Sequence, residues 1–252
     1  MKILFIGDIV GKPGRQVVID LLPSIKNKHN IDFVIANGEN AAHGKGITKK
    51  IYNQLISAGV DVITLGNHAY AKSDVYEIID ENRLIRPLNY LQSTKGKGIR
   101  VFECFGKRVL VSSIVGSVFM NNVLESPFTA IKEVIEYDAD IKIVDFHAEA
   151  TSEKIAFAYA HSKYLNAVLG THTHVQTADE RLIDNCAFIT DVGMCGPYES
   201  ILGRDINEVI DMMVYNKTTK YTVSNSKAIF CGVVLDIKNN KTISIERVQI
   251  RP

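Results

Sequence analysis

The chain has 252 residues, 46% of them hydrophobic and 23% charged, which suits one large α/β domain and excludes a disordered or low-complexity chain. A formal net charge of +1, with no long run of one sign, gives no electrostatic basis for binding duplex nucleic acid or a membrane surface, and leaves a small anionic substrate open. The four cysteines, Cys104, Cys186, Cys195 and Cys231, form no CxxC pair, so they read as reduced thiols rather than a zinc ribbon or a disulfide framework.

Ile3-Leu4-Phe5-Ile6 is an apolar strand that meets Asp8 almost at once. It is too short for the apolar core of a signal peptide, and no later run reaches the roughly 20 residues that span a bilayer, so the cytoplasm is the expected compartment. A helix is predicted from Arg15 to Lys26. Gly7, Gly11 and Lys12 fall short of a phosphate-cradling loop, because three residues separate the glycines and Pro13 follows the lysine. Asp8 is left at the strand's carboxyl end, where taken alone it fits a turn cap as well as a metal ligand.

The pattern repeats. Phe33 to Ala36 reads as a strand followed by Asn37-Gly38-Glu39-Asn40 and a helix from Thr48 to Ala58. Val60 to Leu65 is a third strand, ending in Gly66-Asn67-His68, with a helix-like segment from Ser73 to Asn82. Right-handed βαβ crossovers line such strand ends along one edge, where ligands bind. Three consecutive strands therefore deliver Asp8, Glu39 and Asn67 to one place.

Ile99 to Phe105 and Arg108 to Ser113 read as a hairpin around Gly106-Lys107, and Val118 to Ser126 as an irregular excursion or lid. After a helix at Thr129 to Glu136, the strand Ile141 to Phe146 ends in His147-Ala148-Glu149. A helix from Ser152 to Leu165 leads to Ala167-Val168-Leu169 and Gly170-Thr171-His172-Thr173-His174. A strand at Ala187 to Thr190, a Gly-rich loop from Asp191 to Pro197, a helix at Ile206 to Tyr215, and a hairpin of Ala228 to Ile237 with Thr242 to Val248 complete the chain. No linker interrupts it, so residues 1–252 are expected to form one domain. Met194 and Cys195 are candidate substrate contacts in the Gly-rich loop, with a buried structural turn as the other reading.

Four of the seven histidines, His68, His147, His172 and His174, follow apolar strands. With Asp8, Glu39 and Asn67 they make a donor set suited to borderline divalent metals such as iron, manganese or zinc. Glu39, between Asp8 and Asn67 in chain order, is the natural bridge through its two oxygens. Paired ions about 4 Å apart suit phosphate ester hydrolysis.

Gly7-Asp8, Asn37-Gly38-Glu39-Asn40, Gly66-Asn67-His68, His147 and Gly170-Thr171-His172-Thr173-His174 resemble, in order and over nearly the whole chain, the motifs of the calcineurin-like metallophosphoesterases. The Gly7-Asp8-Ile9-Val10-Gly11 start, Glu39 in place of the usual Asp, and Thr190-Asp191-Val192-Gly193-Met194-Cys195-Gly196-Pro197 are similar to the bacterial YmdB-type branch. The resemblance implies a four-layer α/β/β/α sandwich with two divalent ions per subunit, iron in this branch, and homo-oligomeric assembly. It implies Asp8, Glu39, Asn40 and His174 on one ion, Glu39, Asn67, His147 and His172 on the other, and His68 as general acid. The implied reaction is attack of a metal-bridging hydroxide on a small phosphodiester, foremost a 2′,3′-cyclic nucleotide. The competing readings are a phosphomonoesterase or nucleotidase on the same ions, and a metal-stabilised regulatory or RNA-binding protein with little turnover. Two departures stand out: Val10 occupies the place of a usual ligand His, with Asn40 serving that ion instead, and Ala69-Tyr70 follows His68 where many relatives carry an acid. Asp74 or Glu149 could orient His68 in its stead, unless they are a helix cap or solvated carboxylates.

Overall fold

Alternating burial along the first strand divides the molecule into layers. In the computed structural model, which describes residues 1–91, 93–121 and 125–252, β1 (Lys2–Ile6) turns Ile3 and Phe5 to one side and Leu4 and Ile6 to the other. Both faces are covered, as in the near-continuous apolar strands of parallel sheets. There follow β2 (Asp8–Ile9), α1 (Gly11–His29), β3 (Phe33–Asn37), α2 (Lys49–Ser57) and β4 (Val62–Thr64). β1, β3 and β4 pair in parallel, and both helices pack on the Leu4 side, so the carboxyl ends of the strands share one edge.

β5 (Leu84–Ile85) extends this row. The segment before it holds a single 3₁₀ turn at Ser73–Glu77, in place of the helix-like segment expected from Ser73 to Asn82. The carbonyls of Asp80 and Glu81 accept from the Arg100 guanidinium, so they are satisfied without helical N–H groups.

The second sheet holds the predicted hairpin β6 (Ile99–Cys104) and β7 (Lys107–Val115), then α3 (Pro127–Glu136), β8 (Ile141–His147), α4 (Thr151–His161), β9 (Ala167–Thr171), β10 (Arg181–Ile183) and β11 (Cys186–Ile189). Its spatial order is β10-β11-β9-β8-β7-β6. The chain returns to the first sheet through β12 (Met194–Pro197), α5 (Ile206–Tyr215), β13 (Ala228–Lys238) and β14 (Lys241–Ile250), giving the order β2-β12-β13-β1-β3-β4-β5 with β14 on β13. The hairpin between β13 and β14 turns at Asn239 and Asn240, both at positive φ.

Ile3, Phe5 and Ile35 meet Val109, Ile143 and Leu169 between the sheets, while α3 and α4 cover the outer face of the second sheet through Ile131, Val134 and Phe157. The result is the expected four-layer α/β/β/α sandwich. The end of the Gly-rich loop is a strand after all: Met194 and Cys195 pair in parallel with Asp8 and Ile9. Gly7 permits this approach, since a Cβ there would stand 1.9 Å from the Gly193 carbonyl oxygen. Within the excursion at 118–126, residues 122–124 lie outside the described residues. Its entry is fixed by the buried Glu153 on α4, which accepts from the backbone N–H groups of Ser117 and Val118. No helix among the described residues is long and apolar enough to cross a membrane.

Candidate metal centre

Seven side chains from both sheets converge where the strands end. Asp8 from β2, Glu39 and Asn40 after β3, and Asn67 after β4 come from the first sheet; His147 ends β8, and His172 and His174 follow β9. Each carboxylate has one oxygen pinned by a backbone N–H and the other turned inward. His172 N–H donates to Asp8 Oδ2 at 3.1 Å, and His68 N–H donates to Glu39 Oε2 at 3.0 Å. On Glu39 the inward oxygen is Oε1, which faces both His147 Nε2 at 3.0 Å and the Asn40 amide at 3.2 Å.

The three imidazoles are oriented by what their outer nitrogens touch. His174 Nδ1 lies 3.1 Å from the Leu202 carbonyl oxygen, which can only accept, so its lone pair is on Nε2, facing Asn40 at 3.1 Å and Asp8 at 3.8 Å. His172 Nε2 lies 3.1 Å from Glu149, which leaves Nδ1 to point at His147 Nε2, 3.0 Å away. His147 Nε2 also faces Asn67 Oδ1 at 2.8 Å, while its Nδ1 lies 2.8 Å from Thr171 Oγ1. Acceptors therefore crowd one another at the centre. Glu39, His147 and His172 each place a ligand atom within 4.8 Å of the others. The Asn40 amide meets Asp8, Glu39 and His174 at one point, and a half-turn would bring its oxygen to that place, as a cation among them requires. Inward lone pairs with outward donors are what borderline divalent cations need, so these residues fit divalent metals.

The electrostatics say the same. Burial pushes the Asp8 carboxyl up to about 6, although His174 and His147 oppose it. Burial works against charge on Glu39 too, but the adjoining His147 and then His68 hold it below the usual carboxylate range. Burial likewise opposes protonation of His147, yet Glu39 outweighs it and lifts the imidazole to about 9. Burial and His147 hold His172 down, to about 3. One proton at His147 thus supplies the positive charge that the acceptors around it call for.

Close packing fixes the backbone here. Gly66 does not adopt a positive φ and is needed here for space. A Cβ on it would stand 2.4 Å from both Glu39 Oε2 and His147 Cδ2. His172 and His174 do adopt positive φ, 101° and 67°, a conformation that costs non-glycine residues and gathers at functional sites.

A cleft of about 270 Å³ opens over these residues and is also lined by Lys45, His68, Glu149, Arg204 and Tyr221. A larger cavity of about 860 Å³, beside β6 and Tyr137, contains none of the converging ligands, so size does not mark the site. His68 is half-buried in the cleft, its pKa lowered by burial and opposed by Glu39. Neither carboxylate considered for orienting it does so: Asp74 is exposed in the 3₁₀ turn, and Glu149 pairs with His172. Met194 and Cys195 are not among the cleft-lining residues, because β12 buries both, and Cys195 Sγ faces the Cys231 carbonyl oxygen.

Several supporting residues escape sequence reading. Lys154 is fully buried and donates to the Thr171 carbonyl oxygen and to Asp191 Oδ2, which in turn accepts from Thr173 and thereby braces the His172 loop. Arg204 pairs with Glu208 and lies over the Tyr221 ring, fixing one cleft wall. A lysine on a helix reads as solvated, and nothing in the sequence marks Lys154 otherwise. Asn37, Thr64, Asp145 and Thr171 do leave a trace, as polar residues on the inward parity of apolar strands.

Residues 4–248 match the family described as YmdB-like protein. A curated relative from Bacillus subtilis, named 2′,3′-cyclic-nucleotide 2′-phosphodiesterase, is 46% identical over 99% of this chain and 97% of its own length. The crystal structure of a phosphatase from Mycoplasma pneumoniae aligns at a TM-score of 0.95 with 39% identity, covering 99% of this chain and 93% of that one. A 5′-nucleotidase precursor from Thermus thermophilus aligns at 0.53 with 11% identity, over 99% of this chain and 54% of that one, which speaks to the fold alone.

Proposed function

The chain belongs to the YmdB-like family, and from that membership and its converging ligands we propose that it is a divalent-metal-dependent phosphodiesterase opening 2′,3′-cyclic nucleotides. The observation that carries this reading is the set of inward-facing ring nitrogens, His147 Nε2, His172 Nδ1 and His174 Nε2, each with its outer nitrogen turned to another partner. Asp8, Glu39, Asn40 and His174 would hold one ion, and Glu39, Asn67, His147 and His172 a second. Bound divalent ions supply Lewis-acid polarisation and acidify water. Iron is the proposed metal, with manganese or zinc as substitutes, and the proposed setting is a cytoplasmic homo-oligomer.

The chain's own residues supply the rest. His68 stands free of the ligand set at the cleft wall and donates a proton to the departing 2′ oxygen. Water adds to phosphorus as that bond breaks, leaving a 2′-hydroxyl and a 3′-monophosphate. Arg204 is neutralised by Glu208, whereas Lys45 has no carboxylate partner among the described residues. One unpaired cation beside the ions suits a cyclic diester, which carries a single negative charge.

The test is reconstitution of metal-free protein with Fe²⁺ or Mn²⁺, followed by parallel assay on 2′,3′-cyclic nucleotides and on mononucleotides. Turnover of the diesters with release of 3′-monophosphate is expected. Turnover of monoesters alone would favour the phosphomonoesterase, and folded, metal-loaded protein with no turnover would favour the regulatory reading. His68→Asn should lower kcat by roughly 10²–10⁴-fold with metal content unchanged.

A further inference from the structure

Behind the centre, in the interior shared by the two sheets, lies a carboxylate that the chemistry above leaves unused. Asp145 is fully buried on β8, two residues before His147 and on the same parity as Ile141 and Ile143, which pack between the sheets. Its oxygens take three donors. Thr171 Oγ1 approaches Oδ1 at 2.6 Å, while Thr64 Oγ1 at 2.6 Å and Asn37 Nδ2 at 2.9 Å share Oδ2. Thr64 and Asn37 belong to the first sheet and Asp145 and Thr171 to the second, so this one side chain joins the layers just below the ligands.

The chain of bonds continues outward, since Thr171 Oγ1 also lies 2.8 Å from His147 Nδ1. A hydroxyl has one proton, and here the carboxylate takes it. Thr171 can then only accept from the imidazole, which keeps a ring proton on Nδ1 and makes Nε2 the nitrogen that gives up its proton when a metal ion binds. Nε2 is the nitrogen that faces Glu39, Asn67 and His172.

We propose that Asp145 and Thr171 form a polarity relay that fixes His147 in the tautomer able to bind a metal ion, which makes both of them positioning residues of the centre. The proposal rests on the metal reading above. A mere crosslink between sheets would need no particular polarity; this relay does. In Asp145→Asn the amide N–H₂ can donate to Thr171 Oγ1, freeing the hydroxyl proton for His147 Nδ1. The ring proton then moves to Nε2 and occupies the position of the ion.

The experiment titrates Mn²⁺ into metal-free wild type, Thr171→Ser, Thr171→Val and Asp145→Asn by calorimetry, and reads the His147 Nδ1–H resonance in Zn²⁺-loaded samples. Thr171→Val and Asp145→Asn should bind roughly 10–100-fold more weakly, the range typical of lost outer-shell partners. Thr171→Ser keeps the hydroxyl and should bind as wild type does, with the exchange-protected Nδ1–H signal retained. Folded Thr171→Val with wild-type affinity overturns the relay while leaving the metal reading intact. Wild type that binds no divalent ion overturns both.

Discussion

Gly66 shows how little slack the centre has. Glu39 Oε2 and His147 Cδ2 would each stand 2.4 Å from an added methyl, and neither is the end of a freely swinging chain: His68 N–H holds the first, and Asn67, Glu39 and Thr171 surround the second residue. Gly66→Ala should therefore displace two ligands at once and cost about 1–3 kcal/mol of stability, as overpacking of a tight interior does. Elemental analysis after metal loading checks it, and full occupancy in the variant would show that the carboxylate and imidazole can move. Tyr70, two residues beyond His68, is unusual for a different reason. Its hydroxyl donates to the Lys95 carbonyl oxygen and burial lifts its pKa to about 12, so it anchors a loop and is no proton donor.

At the scale of elements, α4 carries a load that its sequence hides. Lys154 reaches from the helix to the Thr171 carbonyl oxygen and Asp191, and Asp191 also accepts from Gly193 N–H, so one buried pair braces the ends of both β9 and β11. Lys154→Met leaves Asp191 charged and unpaired in the interior and should cost about 3–5 kcal/mol in urea unfolding. A loss under about 1 kcal/mol, the range of exposed pairs, would show that the brace is dispensable. Most strands were legible, because apolar runs that stop at Gly and a polar side chain leave few other readings; Asp8, Glu39, Asn67, His172 and His174 fall at such stops, and His147 directly follows Phe146 at the end of its strand. The stop of the Ser73–Glu77 turn was not, since local spacing cannot reveal that Arg100 takes the Asp80 and Glu81 carbonyls beyond it from across the chain. Nor was β12, whose pairing with Asp8 and Ile9 depends on Gly7 and Gly193 meeting closely. Lys154 and Asp145 mark the same boundary: each is polar within an element that reads as something else, and only the packing of distant elements gives it partners.

For the whole molecule, the decisive fact is that the ligands come from both sheets. An ion held by Glu39 and Asn67 on one side and His147 and His172 on the other ties the layers together, so binding and folding are linked. At a concentration of one hundred times Kd the linkage adds about 2.7 kcal/mol, which should raise Tm by roughly 5–10 °C in a chain of this size. Without metal, protons take over part of that work, and their contribution depends on pH. His147 is raised from 6.5 to about 9 in the folded chain, so the stability it gives is complete below pH 6.5 and is lost as pH climbs to about 9. Asp8 is raised from 3.8 to about 6, so its share disappears earlier, between those values. Between pH 6.5 and 9 the metal-free protein should therefore lose Tm steadily while the loaded protein, with ions in place of the proton, gains from the deprotonation that ligation requires. Thermal unfolding in EDTA and in Mn²⁺ across that window should show the gap between the two widening with pH, and a constant or narrowing gap would mean that His147 carries no such proton.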